Sequence, residues 1–161
     1  MMKRLFSLAL ALWLAHAPPS EAQLGTGATC SVSASPMQFI SYNAFLDLPS
    51  DTVSTVTVTC YGLLNVNIPY QLRLSSGQSG DINARHMTSS GSSDQLSYQI
   101  YTNLLRTNVW GNGTQGSQIN GTMLVQLIAT SSLHTVYGRV PAGQVVQSGT
   151  YDDSLLVTVV F

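Results

Sequence analysis

Charge is what this sequence has least of. Its only lysine and its only glutamate are Lys3 and Glu21, and charged residues make up 8% of the chain. The arginines are scattered and form no basic stripe, so the electrostatic footprint of a nucleic-acid-binding protein is absent. Polarity comes instead from Ser, Thr, Asn and Gln, which suit strands and turns better than helices.

Long apolar runs are missing beyond the N-terminus. There, an apolar stretch over residues 5–17 follows two basic residues and precedes Ser20-Glu21-Ala22, which has small residues at both positions that a signal peptidase reads. This layout predicts a signal peptide over 1–22 and one mature domain over 23–161. A membrane anchor is the other interpretation, but a span needs about twenty apolar residues. No stable membrane insertion is expected.

Cysteine is scarce too. The two cysteines, Cys30 and Cys60, lie in a chain predicted to leave the reducing cytoplasm. One disulfide is therefore expected, worth roughly 3.5 kcal/mol in the chain-entropy model for a loop of this length. A zinc site with His86 and His134 is the alternative, but the spacings match no zinc pattern. We expect no metal or cofactor.

Alternating apolar and polar residues take the place of helical periodicity. Between Thr52 and Tyr61, valine or cysteine alternates with threonine. Such segments, separated by Gly, Asn, Ser and Pro, predict an all-β, immunoglobulin-like sandwich of about seven strands. Asn112-Gly113 and Asn120-Gly121 are predicted turns. Strands are predicted to include Cys30–Val32, Met37–Tyr42, Thr52–Tyr61, Tyr70–Leu74, Leu96–Ile100, Met123–Ala129, Thr135–Val140 and 151–161.

The last predicted strand has the strictest alternation. Leu155, Val157, Val159 and Phe161 point one way, and the residues between them point the other. No turn or charge follows in the sequence, so the strand would present an open edge and an apolar face. Such edges pair with other chains. We therefore expect another polypeptide to complete this strand.

Several motifs follow one another in a specific order along the predicted mature chain. They are Cys30, Phe39-Ile-Ser-Tyr42, Cys60, Tyr70-Gln-Leu72-Arg-Leu74, Arg85-His-Met87, Leu96-Ser-Tyr98-Gln-Ile-Tyr101, Trp110-Gly-Asn-Gly113, Val136-Tyr-Gly-Arg139 with Gln144, and Gly149-Thr-Tyr-Asp-Asp153. Their order resembles the spore coat protein U domain family, which includes secreted subunits of archaic chaperone–usher pili. The likeness covers nearly all of the mature chain, and its Tyr-Gly-Arg and Gly-x-Tyr-x-Asp motifs are the most specific.

The resemblance implies an incomplete immunoglobulin-like sandwich with a hydrophobic groove beside its C-terminal strand. A periplasmic chaperone would lend a strand to the groove, and at the outer-membrane usher another pilin subunit would replace it. Leu155, Val157, Val159 and Phe161 would face the lent strand. The protein would then reach the surface of a Gram-negative bacterium as a fibre subunit that contributes to adhesion or biofilm.

Two features depart from the family pattern. Ile40 stands where the family usually has glycine. Only Gln23 to Thr29 precede Cys30 in the predicted mature chain, and Gly25 and Gly27 weaken this stretch as a strand. We therefore expect a subunit that accepts a strand better than it donates one. A position at the fibre tip or a non-polymerising role would fit.

The sequence also contains residues that other functions would use. Ser154 with His86 or His134 could suggest hydrolysis, but no nucleophile elbow is present and serine is abundant. Trp110, in a Gly/Asn-rich loop, could contact a sugar or an abiotic surface, or it could fill the core. Arg139 is expected to pair with Asp152 or Asp153.

Overall fold

The computed structural model describes residues 21–24, 27–63 and 65–161, which form strands, turns and two single-turn 3-10 helices. The predicted all-β class is confirmed. The predicted signal peptide falls almost wholly outside the described residues. Within them, no helix is long and apolar enough to cross a bilayer. The strands are β1 (Glu21–Leu24), β2 (Ala28–Ala34), β3 (Ser50–Gly62), β4 (Val66–Leu74), β5 (His86–Ser89), β6 (Gln95–Ser97), β7 (Gln99–Tyr101), β8 (Ile119–Val125), β9 (Thr130–Val140), β10 (Tyr151–Asp152) and β11 (Val157–Val160).

Three sheets enclose one core. The largest has the order β1-β2-β3-β9-β7, and its β3 and β9 pair antiparallel from Ser50 opposite Val140 to Cys60 opposite Thr130. The others have the orders β10-β5-β6 and β11-β4-β8. Buried residues from all three sheets, such as Val58, Leu72 and Met87, belong to one hydrophobic cluster. The predicted strand 151–161 is thus divided between two sheets.

The predicted disulfide joins Cys30 to Cys60. These residues are directly opposite each other on β2 and β3, and both are 1% exposed. Alternation along β3 places Val56, Val58 and Cys60 inward, with threonines outward, as the sequence predicts. The disulfide therefore joins β2 to β3, the middle strand of the largest sheet.

The stretch from Met37 to Tyr42, predicted as a strand, is a loop. Met37 and Phe39 do pack against the core, which explains the alternating pattern. Gly138 makes room for them, because a Cβ there would lie 2.5 Å from the Met37 Sδ. Alternation here reflected burial of side chains and not pairing of the backbone.

The two Asn-Gly pairs have different outcomes. Asn112-Gly113 is a turn, where Gly113 has φ +89° and the Asn112 side chain accepts bonds from two following backbone N–H groups. Asn120-Gly121, also predicted as a turn, lies within β8 and pairs with β4. Glycine is needed there because any Cβ would overlap the ring of Tyr70.

Arg139 does not pair with Asp152 or Asp153. It lies opposite Asp51 in the β3–β9 ladder and forms a two-point ion pair with it, with both N–O distances at 2.7 Å. The hydrogen bond from Arg139 is the main cause that lowers the pKa of Asp51. Register between distant strands decided this partner.

Candidate functional site

The site predicted on the last strand lies along β11 and the residues around it. Val159 is 4% exposed, and Leu155, Val157 and Phe161 are partly buried against the core. Between them, Leu156 is 62% exposed and Val160 37% exposed. All four predicted residues therefore lie on the side of the strand that faces the core.

One edge of β11 has no partner strand among the described residues. The other edge pairs antiparallel with β4 from Val157 opposite Leu74 to Val160 opposite Gln71. Just before this ladder, the Ser75 N–H donates to the Leu156 carbonyl at 3.0 Å. Because hydrogen-bonded and non-hydrogen-bonded pairs alternate in an antiparallel ladder, Val157 and Val159 direct their N–H and C=O groups away from β4, toward the open edge.

Besides β4, the strand that most closely approaches β11 among the described residues is β2. Cα atoms of β2 and β11 come within 8 Å of each other, but the two strands do not pair. β1 pairs with the first half of β2, from Leu24 opposite Ala28 to Glu21 opposite Ser31. The second half of β2, Val32 to Ala34, pairs with β3 but has no partner in β1. We call the region between this half of β2 and β11 the groove.

A cavity of about 380 Å³ opens at the end of the groove where β11 begins. It is mainly apolar, with Asp152 and Asp153 as its acidic residues. Sequence reasoning did not identify this cavity, since residues from eight separate segments meet there. Its lining includes Met37, Phe39, Tyr98, Trp110, Leu155 and Val157.

Asp153 fixes the chain just before β11. Its carboxylate accepts hydrogen bonds from the Gln78 N–H at 2.9 Å, the Ser154 N–H at 2.7 Å and the Tyr98 hydroxyl at 2.7 Å. Burial and the bond to Asp153 both raise the pKa of Tyr98, so this tyrosine stays a neutral donor. The start of the candidate strand is therefore held in one position.

Trp110 fills the core beside the groove. Its side chain is 1% exposed, and its indole Nε1 donates to the Leu72 carbonyl at 3.1 Å. A fully buried ring offers no face to a sugar or to an abiotic surface. The position of Trp110 therefore agrees with the interpretation that it fills the core, and not with the interpretation that it contacts a surface.

Among the described residues, no hydrogen bond joins Ser154 to His86 or His134, the groups considered for hydrolysis. The Ser154 N–H bonds to Asp153, whereas the His134 Nε2 bonds to the Tyr70 hydroxyl at 2.7 Å. Burial lowers the pKa of His134. In the part of the chain that the structure describes, no three His, Cys, Asp or Glu residues group as metal ligands.

The fold and the site together define an immunoglobulin-like sandwich of the pilin type, stapled by one disulfide, with an unpaired strand edge. The model of the Spore Coat Protein U domain family matches residues 19–158. The chain belongs to this family.

Two relatives can be compared directly. Protein U of Myxococcus xanthus is 36% identical over 86 residues, which are 53% of this chain and 45% of that protein. A chain of the CsuC–CsuE chaperone–tip adhesion subunit pre-assembly complex, from the archaic chaperone–usher Csu pili of Acinetobacter baumannii, matches with 24% identity and a TM-score of 0.56. That match covers 83% of this chain and 40% of the other. The chain thus spans less than half the length of either relative, and the second likeness is one of fold.

Proposed function

We propose that this protein is a structural subunit of a chaperone–usher fibre, completed by a strand from another polypeptide. The observation that carries the proposal is the open edge of β11, with Val159 and its neighbours facing the core beside it. A periplasmic chaperone would supply the strand first, and another pilin subunit would replace it at the outer-membrane usher. The family and the pilin-type fold support these partners.

Strand addition needs main-chain groups and side-chain pockets. Val157 and Val159 would supply the first, through the N–H and C=O groups that they direct away from β4. The groove and its cavity would supply the second, because alternate side chains of an added strand point to one face. Backbone bonds would then give affinity, and the cavity would fix the register.

The proposal requires export and no catalysis. The signal peptide predicted over 1–22 would bring the chain to the periplasm, where Cys30 and Cys60 can oxidise. The fibre would then carry the subunit to the cell surface, where it would contribute to adhesion or biofilm. Its role would depend on shape and pairing and not on a reacting group.

A donor-strand peptide should stabilise the purified mature protein. A synthetic peptide of alternating Val and Thr, seven residues long, is expected to raise the melting temperature, because a ligand that binds only the folded state stabilises it by about 2.7 kcal/mol at a hundredfold excess over its Kd. Differential scanning fluorimetry across a peptide titration measures this shift.

The control peptide has the same composition, with its valines grouped so that no face is apolar. It should leave the melting temperature unchanged. A high melting temperature that neither peptide alters would contradict the proposal, since the sandwich would then need no added strand.

A second function, attachment to an apolar surface at a fibre tip, is favoured by the turns at one end of the β3–β9 ladder. Leu63, Leu127 and Ile128, which we call the end patch, are 75–77% exposed. The Gly62 N–H donates to the Gln126 carbonyl at 2.9 Å, which holds the two turns together. The complex with a similar fold includes a tip adhesion subunit.

Removal of the end patch tests this second function. The double change Leu127→Ser and Ile128→Ser should weaken adsorption to an alkyl-coated sensor at least about tenfold, since each buried leucine or isoleucine contributes roughly 1.5 to 3 kcal/mol. Leu133→Ser is the matched control, because Leu133 is 70% exposed but lies on the outer face of β9. Equal adsorption by both variants would argue against the end patch.

A further inference from the structure

Arg85 is a buried cation that the proposed strand exchange does not explain. It is 1% exposed and belongs to the Arg85-His-Met87 motif. Its Nε and one terminal nitrogen donate to the Ser75 carbonyl at 3.1 and 2.6 Å, and its other terminal nitrogen donates to the Gln99 side-chain oxygen at 2.7 Å. Burial of a charged group is costly in free energy unless the group is hydrogen-bonded in this way. We therefore asked what the hydrogen bonds of Arg85 do for the structure around it.

The main partner of Arg85 is the Ser75 carbonyl, which lies where the β4–β11 ladder begins. In a regular antiparallel pair, two residues exchange both main-chain bonds. Here the Ser75 N–H donates to the Leu156 carbonyl, but the Leu156 N–H donates to the Ser75 hydroxyl at 2.9 Å. The hydroxyl replaces a carbonyl that Arg85 already occupies.

This replacement lies next to the cavity. Regular pairing begins only at Val157 opposite Leu74. Leu155, one residue before the altered pair, lines the cavity together with Val157. Leu155 is therefore next to a pair in which the Ser75 carbonyl bonds to Arg85 and the Ser75 hydroxyl bonds to Leu156.

We propose that Arg85 is a positioning residue that acts through Ser75: it holds Leu155 at the wall of the cavity and so determines which side chain of an added strand fits there. This rests on the proposed function. The cavity of about 380 Å³ suits a large apolar side chain, such as that of phenylalanine. A purely structural Arg85 would affect stability but not this choice.

The test compares two labelled peptides on the same protein. Both alternate Val and Thr, and one apolar position carries either Phe or Ala; each apolar position is tried in turn. With the unchanged protein, Phe at the position facing the cavity should bind at least about tenfold more tightly than Ala, since even one methylene in a pocket gives roughly 10 to 200-fold discrimination. Fluorescence polarisation gives both dissociation constants.

Two variants then separate positioning from stability. Arg85→Met removes the donors to Ser75, and Ser75→Ala removes only the hydroxyl that bonds Leu156 and leaves Arg85 and its carbonyl partner in place. In both, the preference for Phe should fall to about threefold or less, with binding of the Ala peptide unchanged. If Arg85→Met does not fold, Ser75→Ala decides. Ser79→Ala is the control, because the Ser79 hydroxyl bonds only within its own turn.

Other outcomes have distinct meanings. An unchanged Phe preference in Ser75→Ala, or an equal loss of affinity for both peptides, would overturn the positioning role and leave the proposed function intact. Failure of the unchanged protein to bind either peptide would instead contradict the proposed function itself.

Discussion

Trp110→Ala is expected to lower the free energy of unfolding by about 3 to 5 kcal/mol, the usual cost when a buried tryptophan is truncated to alanine. The indole is 1% exposed and lies between the cavity and the sheet that contains β4. Its truncation would also leave the Leu72 carbonyl without the Nε1 donor. Urea unfolding of the peptide-bound protein measures the loss.

Two comparisons separate the roles of the ring and of its hydrogen bond. Trp110→Phe keeps an aromatic ring but removes the donor, so a smaller loss is expected. Leu133→Ala truncates a residue that is 70% exposed and should change stability by no more than about 0.5 kcal/mol. A different outcome would support the other interpretation of Trp110, as a residue that contacts a sugar. In that case Trp110→Ala would unfold like the unchanged protein but would lose binding to a glycan array.

Side-chain periodicity made the faces of the strands predictable from the sequence. Alternation assigned Val56, Val58 and Cys60 to the core, and it placed Val159 on the correct side of the last strand. It could not show whether alternating side chains belong to a paired backbone, because burial alone produces the same pattern. Met37 and Phe39 are buried from a loop for this reason.

Features that depend on register between distant strands were beyond sequence reasoning. Arg139 pairs with Asp51 because the register of β3 and β9 places the two residues opposite each other. No local sequence pattern specifies that register. Gly121 resembled a turn residue, but it is a glycine because the Tyr70 ring lies over it. The cavity and the contact of Arg85 with Ser75 are likewise made by segments that meet only in the folded chain. The only signal in the sequence was that Arg85 belongs to the Arg85-His-Met87 motif.

Val159→Pro is expected to remove most of the rise in melting temperature that a donor-strand peptide produces. Alternation along the β4–β11 ladder directs the Val159 N–H toward the open edge, and proline has no N–H and cannot lie inside a sheet between two partners. Val159→Ala is the matched variant, since it also removes apolar volume but keeps the N–H. Peptide affinity should fall at least about tenfold further in the proline variant than in the alanine variant.

Thr158→Pro should affect the protein without peptide, whereas Val159→Pro should affect the binding of peptide. The same alternation directs the Thr158 N–H toward Arg73 on β4. Its loss should destabilise the protein even without peptide, by roughly 1 to 3 kcal/mol, because the Arg73 carbonyl would lose its partner. Val159→Pro should cost little more than Val159→Ala in that state. Equal peptide-induced stabilisation of Val159→Pro and Val159→Ala would mean that the added strand does not pair with β11. The open edge of β11 would then not be the site at which another polypeptide binds.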